Sequence, residues 1–211
     1  MKCCLCLSNS KEYFKDIKSG SLYFKCTECA LCFLDPSQRL NHADEKARYE
    51  THENDINDPR YQNFVKPLFD QITSLYSSKA AGLDFGCGEG PVLSFLLSKQ
   101  GYKTDLYDPY FKNDMRVFEQ TYDYIFAIEV FEHLYDPRAE LKRLRSMLNE
   151  NGSLFIMTEF LEQEIDFTSW YYRKDPTHVC FYSSKTFEYI KETFKFSKFL
   201  KVDKRIGLLR V

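Results

Sequence analysis

The chain has 211 residues, of which 44% are hydrophobic and 17% aromatic, which excludes a disordered segment and suits one ordinary domain with a small appendage. Its 29 basic and 31 acidic residues give a net charge of -2, which argues against a whole-surface electrostatic grip on nucleic acid. No run of 18 apolar residues occurs and MKCCLCLSNS lacks the apolar stretch of a signal peptide, so we expect no membrane span and a cytoplasmic, reducing setting.

In such a setting eight cysteines suit metal binding or burial better than disulfides. Six of them, Cys3, Cys4, Cys6, Cys26, Cys29 and Cys32, fall in the first 32 residues and mark residues 1–40 as a separate module. Cys3-x-x-Cys6 and Cys26-x-x-Cys29, with 19 residues between them, have the two-knuckle spacing of a Cys4 zinc ribbon. The intervening KEYFKDIKSGSLYFK reads as a β-hairpin turning at Ser19-Gly20. A closed Cys4 site has no open position, so Zn2+ here would fold the module rather than act on a substrate. Cys4 in place of Cys3, or the pair Cys29-x-x-Cys32, are alternative ligands, and a cluster of buried free thiols is the competing reading. Docking a protein partner is one role for such a module. Its Lys11, Lys15, Lys18 and Lys25 are diluted for nucleic acid by Glu12, Asp16 and Glu28.

Residues 41–59 read as a polar connecting helix and loop, closed by Asp58-Pro59. From residue 60 to 211 helices and strands alternate. YQNFVKPLFDQITSLYSS has apolar residues at helical spacing; AAGLDF is a buried strand; VLSFLLSKQ is a helix stopped by Gly101; KTDLYD is a second strand. YDYIFAIEV follows as a third strand, AELKRLRSMLNE as an amphipathic helix ended by Asn151-Gly152, and SLFIMTEF as a fourth strand. SKTFEYIKETF is a helix capped by Ser183 or Ser184, and the tail folds as two strands joined near Asp203-Lys204. Continuous apolar strands between helices predict an α/β fold: a doubly wound, largely parallel sheet covered on both faces, with an antiparallel hairpin at one edge.

Ligands of such sheets sit at the carboxyl ends of the strands. The first strand ends in LDFGCGEG, where Gly86 and Gly88 let the backbone bend sharply and approach a ligand closely. The following helix starts near Pro91, and the second strand ends at Asp108, an acid placed to accept bonds from a ribose. This set of strand, D-x-G-x-G-x-G turn, helix, strand and acid resembles the class I S-adenosylmethionine-dependent methyltransferases; DLYDP, YDYIFAIEVFEHLYDP and NGSLFIMTEF extend the resemblance over residues 60–211. It implies a Rossmann-like sheet of seven strands, the last antiparallel. It also implies that Asp84, Gly86, Cys87 and Gly88 line the methionine part of the cofactor, that Asp108 holds its ribose, and that Glu129 shapes the pocket. A turn shorter than that of dinucleotide folds, preceded by an acid, suits an ammonium group better than a pyrophosphate.

Glu129, Glu132 and His133 follow the third strand, and if a helical turn begins there they share one face. His178 lies in the aromatic loop WYYRKDPTHVCFYS. These residues have three readings: they shape the pocket; His133 or His178 is a general base, with Glu129 beside it; or Glu129, Glu132, His133 and His178 hold a divalent metal that binds an acceptor oxygen. E-x-x-E-H with a distant histidine resembles the small-RNA 3′-end 2′-O-methyltransferases, and EVxEH resembles the ubiquinone-pathway O-methyltransferases. The aromatic run from Phe167 to Tyr182 reads as lid and core, with the acceptor entering beneath it. We expect methylation of a small-molecule acceptor at O or C. An RNA 2′-O-methyltransferase and a non-catalytic binding module of the same fold are the alternatives.

Overall fold

The computed structural model describes residues 1–51 and 55–211. The described residues form two sheets. The smaller contains β1 (Ser10–Lys15), β2 (Leu22–Cys26) and β3 (Cys32–Leu34), paired antiparallel in that order. The β1–β2 turn is set by the Asp16 carboxylate, which accepts the amides of Lys18 and Ser19, and by Gly20 at φ +77°. After β3 the chain runs into α1 (His42–Tyr49), whose Asn41 side chain caps the amides of Ala43 and Asp44.

The larger sheet is built from β4 (Ala81–Phe85), β5 (Lys103–Tyr107), β6 (Tyr122–Ile128) and β7 (Leu148–Met157). Strand β8 (Cys180–Phe181) is the fourth strand of the smaller sheet, and β9 (Lys198–Lys201) and β10 (Ile206–Arg210) are the tail hairpin of the larger one. The order is β5-β4-β6-β7-β10-β9, parallel except for β10, which is antiparallel to both neighbours. The doubly wound mixed sheet expected from the sequence is therefore present, with six strands rather than seven. The residues between β5 and β6 are too few for a helix and a further strand. They make an isolated bridge, Asp108 to Lys112, and a 3-10 turn at Met115–Glu119.

Helices cover both faces, and the period of two along the strands decides which side chain meets which helix. Tyr124, Phe126, Phe155 and Met157 turn towards α2 (Pro59–Leu75) and α3 (Val92–Lys99), packing on Val65, Leu68, Ile72, Leu93 and Leu97. Their neighbours Ile125, Ala127, Leu154 and Ile156 turn to the face carrying α4 (Pro137–Ser146) and α5 (Ser184–Thr193). Helix α2 is capped by Asp58 with Pro59 in its first turn, and α5 by Ser183 through a capping box with Thr186. Helix α4 stops at Ser146, short of the Asn151-Gly152 stop read from the sequence. Leu148 already pairs with Tyr122 in β7, and Asn151 at φ +62° lies inside that strand beside a shift of register.

The small sheet is joined to this body by backbone. Strand β3 pairs with β8, matching Cys32 with Phe181 and Phe33 with Cys180. Phe167 and Phe181 are buried against Phe14 and Tyr23, with Trp170 and Tyr172 buried against Phe181 in turn, so the aromatic run is mostly core between module and sheet; within it, Tyr171 is exposed. Each such ring contributes on the order of 1.5–3 kcal/mol by leaving water. Arg173 is buried at the same seam. It pairs with Asp16 at 2.8 Å, donates to the carbonyls of Phe167 and Thr168, and lies over the ring of Phe14.

Candidate active site

The turn after β4 is held from two sides. Gly86 and Gly88 have φ of +79° and +61°, where a side chain is strained, and a Cβ on Gly86 would come within 2.4 Å of Val130. The amides of Gly86 and Cys87 both donate to the carbonyl of Tyr107 at the end of β5. Across the turn, the Asp108 carboxylate accepts the amide of Gly88 at 3.0 Å and those of Tyr110 and Phe111 at 2.8 and 3.1 Å. Asp108 is thus already a brace for the glycine turn, a role its position alone did not reveal. Asp84 is buried below the turn and accepts the Ser94 hydroxyl at 2.7 Å; burial raises its carboxyl to about 7. Burial likewise pushes the Cys87 thiol up to about 12. Asp84, Gly86, Cys87, Gly88 and Asp108 line one cleft of about 620 Å³ at the carboxyl ends of β4, β5 and β6.

The opposite end of this cleft is formed after β6. Glu129 has φ +51°, and a single 3-10 turn begins only at Phe131–His133. The three acidic and imidazole groups therefore do not share a helical face. Glu129 lines the cleft with its carboxylate 3.5 Å from the Arg205 guanidinium, whereas Glu132 is fully buried and points to the two histidines. One oxygen of each of Glu132 and one ring nitrogen of each of His133 and His178 lie within 4.8 Å of one another. Tyr172 donates its hydroxyl to Glu132 Oε1 at 2.5 Å. His133 Nδ1 lies 3.0 Å from the carbonyl of Thr177, and His178 Nδ1 lies 2.6 Å from that of Tyr172. Since a carbonyl only accepts, both Nδ1 atoms carry a proton. Burial raises the Glu132 carboxyl to about 7 and lifts Glu129 well above the ordinary range.

The roof of the cleft was not read from the sequence. His42, Glu45 and Tyr49 of α1 line it, and Glu45 is buried, accepting the hydroxyls of Tyr49 and Tyr110, each at 2.9 Å. Arg48 bonds Asp175 at 2.8 Å, fixing the end of α1 to the loop that carries Thr177 and His178. The stretch 41–59, of which 52–54 lie outside the described residues, reads as a connector because charged and polar residues dominate α1. Its placement over the strand ends depends on partners distant in sequence, Tyr110 and Asp175 among them. Of the aromatic loop, the cleft takes only His178.

Away from the cleft, Cys3 and Cys29 approach to 3.6 Å and Cys6 and Cys26 to 3.2 Å; all four sulfurs lie within 4.8 Å of one another. Sulfurs around a tetrahedral ion with bonds of ~2.3 Å stand ~3.8 Å apart, so the set fits Zn2+. The two surplus thiols are elsewhere: Cys4 lies 3.8 Å from Cys180, and Cys32 is buried in the core.

Residues 58–197 match a family model described as a methyltransferase domain. A tRNA U34 carboxymethyltransferase of Campylobacter jejuni is 26% identical over 125 residues, covering 48% of this chain and 41% of that protein. The chain thus spans less than half the length of this curated relative. Among solved structures, an O-methyltransferase family protein from Burkholderia thailandensis superposes with a TM-score of 0.54 at 13% identity, over 79% of this chain and 61% of that one. Human N-acetylserotonin methyltransferase in complex with SAM gives 0.53 at 11% identity, over 81% and 56%. At these identities the likeness is one of fold. No helix among the described residues is long and apolar enough to cross a membrane.

Proposed function

The chain belongs to the methyltransferase domain family, and we propose that it methylates a small-molecule acceptor using S-adenosylmethionine. The observation that carries this reading is the braced glycine turn. It opens with two left-handed glycines, has a buried acid beneath it and Asp108 across it, and lies at the strand-order reversal where α/β sheets bind ligands. The Asp84 carboxylate would receive the ammonium of the cofactor, and Gly86, Cys87 and Gly88 would lie along its amino-acid portion. Asp108 would accept from the ribose while keeping its bond to Gly88. S-adenosylmethionine supplies an already activated methyl group, so the protein's task is mainly to align the reactants and keep water out.

A cleft of about 620 Å³ has room for such a cofactor beside a modest acceptor. Tyr49 and Tyr110 would wall the acceptor on the α1 side. His133 and His178 would orient its oxygen, with Glu129 and Arg205 flanking them. In the N-terminal module Cys3, Cys6, Cys26 and Cys29 would hold a structural Zn2+, whose binding stabilises β1 to β3.

A tRNA acceptor is the second reading, motivated by the relative from Campylobacter jejuni. The net charge of -2 and the acid at the roof of the cleft, Glu45, weigh against it. Calorimetry with S-adenosylhomocysteine, followed by transfer of a labelled methyl group to phenols, enols and unmodified tRNA in parallel, tests both. We expect micromolar binding, lost in Asp108→Ala, and label in a hydroxyl compound. Absence of cofactor binding would leave a binding module of this fold, and label only in tRNA would establish the second reading.

A further inference from the structure

We propose that the acceptor carries a protonated amine, held at Glu45 beneath α1, and that this group selects the substrate. The charge of the cleft points to it first. Beyond Asp84 and Asp108 the lining includes Glu45, Glu89, Glu129 and Asp136, whereas Arg143 is its one lysine or arginine among the described residues. Arg143 is itself engaged, 3.3 Å from Glu140 and over the ring of Phe118. A cavity of this sign with low-dielectric walls draws cations in and leaves an anionic acceptor unpaired.

Glu45 is the acid with a seat built around it. Its side chain is 9% exposed, and its two oxygens accept the hydroxyls of Tyr49 and Tyr110, neither of which carries charge. The cationic group within ion-pair reach among the described residues is His42, 3.9 Å away and exposed. A buried carboxylate with no lysine or arginine against it lacks the compensation such groups usually have. The rings of Tyr49 and Tyr110 line the cleft 5.6 Å apart, inclined at 53°, so a cation lodged against them meets electron-rich faces as well as the carboxylate. The seat is fixed in advance: Arg48 holds Asp175, and Tyr135 donates to the carbonyl of Leu40 just ahead of α1 at 2.8 Å. An ammonium has no lone pair with which to attack a methyl group, so it is the handle and the reacting hydroxyl lies elsewhere. Tyr49 spans the two ends, its hydroxyl on Glu45 and its ring 5.3 Å from that of His133. Handle and hydroxyl are thus separated by the length of a tyrosine side chain, the span of an aminoalkylphenol.

Assigning the ammonium to an acceptor rests on the methyl-transfer reading; the preference of the cleft for a cation at Glu45 does not. S-adenosylhomocysteine is therefore titrated into the full chain first, and its failure to bind would count against that reading alone. Tyramine, 4-propylphenol and 3-(4-hydroxyphenyl)propionate, which share a phenol and differ in carrying a cation, no charge or an anion at the far end, are then titrated by calorimetry with and without S-adenosylhomocysteine. We expect tyramine to bind about tenfold more tightly than 4-propylphenol, although it is the less hydrophobic of the two, and the propionate to bind more weakly than either. In Glu45→Gln tyramine should lose this advantage, while the affinity for S-adenosylhomocysteine and the melting temperature stay those of the parent, which shows that the variant folds. Tyramine binding no tighter than that of 4-propylphenol in the parent, or an undiminished advantage in the folded variant, would overturn the proposal.

Discussion

Cofactor affinity should fall with acid through a single group, Asp84. Its carboxyl is buried and stands at about 7 in the free protein. If it receives an ammonium, only the carboxylate form binds, and below neutrality each binding event releases a proton. The apparent Kd for S-adenosylhomocysteine then scales as one plus the ratio of protonated to ionised Asp84. That is a rise of about fivefold from pH 7 to pH 6 and about 15-fold from pH 7 to pH 5.5. The α-amino group of the ligand, a free amino-acid ammonium more basic than a peptide N-terminus, stays charged across this window. Folding has the opposite slope: the native state keeps a proton that the unfolded chain has lost, so this group lowers stability as pH rises from about 4 to about 7. Calorimetry at the three pH values, in two buffers of different ionisation enthalpy, reads both the affinity and the proton count. Asp84→Asn should bind more weakly at pH 7, show no slope over this range, and melt higher than the parent at pH 8. A flat profile in the parent, or the same slope in Asp84→Asn, would refute the assignment of Asp84 to the ammonium.

Gly86→Ala should cost about 1–2 kcal/mol from the left-handed backbone alone, with a further loss as Val130 is displaced; urea unfolding measures this, and cofactor binding should drop more than tenfold. Zinc content should be one per chain and fall in Cys29→Ser, which should also lower the melting temperature because the module's strands lose their anchor. Arg173→Met should lower the melting temperature by about 5–10 °C, since it leaves Asp16 without its partner while keeping the stem over Phe14; Arg173→Lys should not restore it, because a lysine cannot reach Asp16 and both carbonyls together.

Local patterns made much of this molecule legible. The alternation of helix and strand, the D-x-G-x-G-x-G turn and the acid after β5 all follow from neighbours in sequence, and each was readable. The cap at Ser183 was readable for the same reason. What escaped were features set by distant partners. The dual use of Asp108, bonding the Gly88 amide, needs the depth of the turn to be known. The departure of Glu129 from the face of Glu132 and His133 needs its left-handed backbone, for which a glutamate gives no warning. The roof over the cleft needs Tyr110 and Asp175, which are far along the chain from Glu45 and Arg48.

The pairing of β3 with β8 has a practical bearing on anyone who would trim or tag this protein. Excising the first forty residues would not release a self-standing catalyst: it would open a raw edge at Cys180–Phe181, two residues from His178, and strip the cover from Phe167. Such an edge invites clumping. The hairpin tip around Ile17, which projects almost entirely into solvent, is the safer place to graft a label, since nothing in the cleft leans on it.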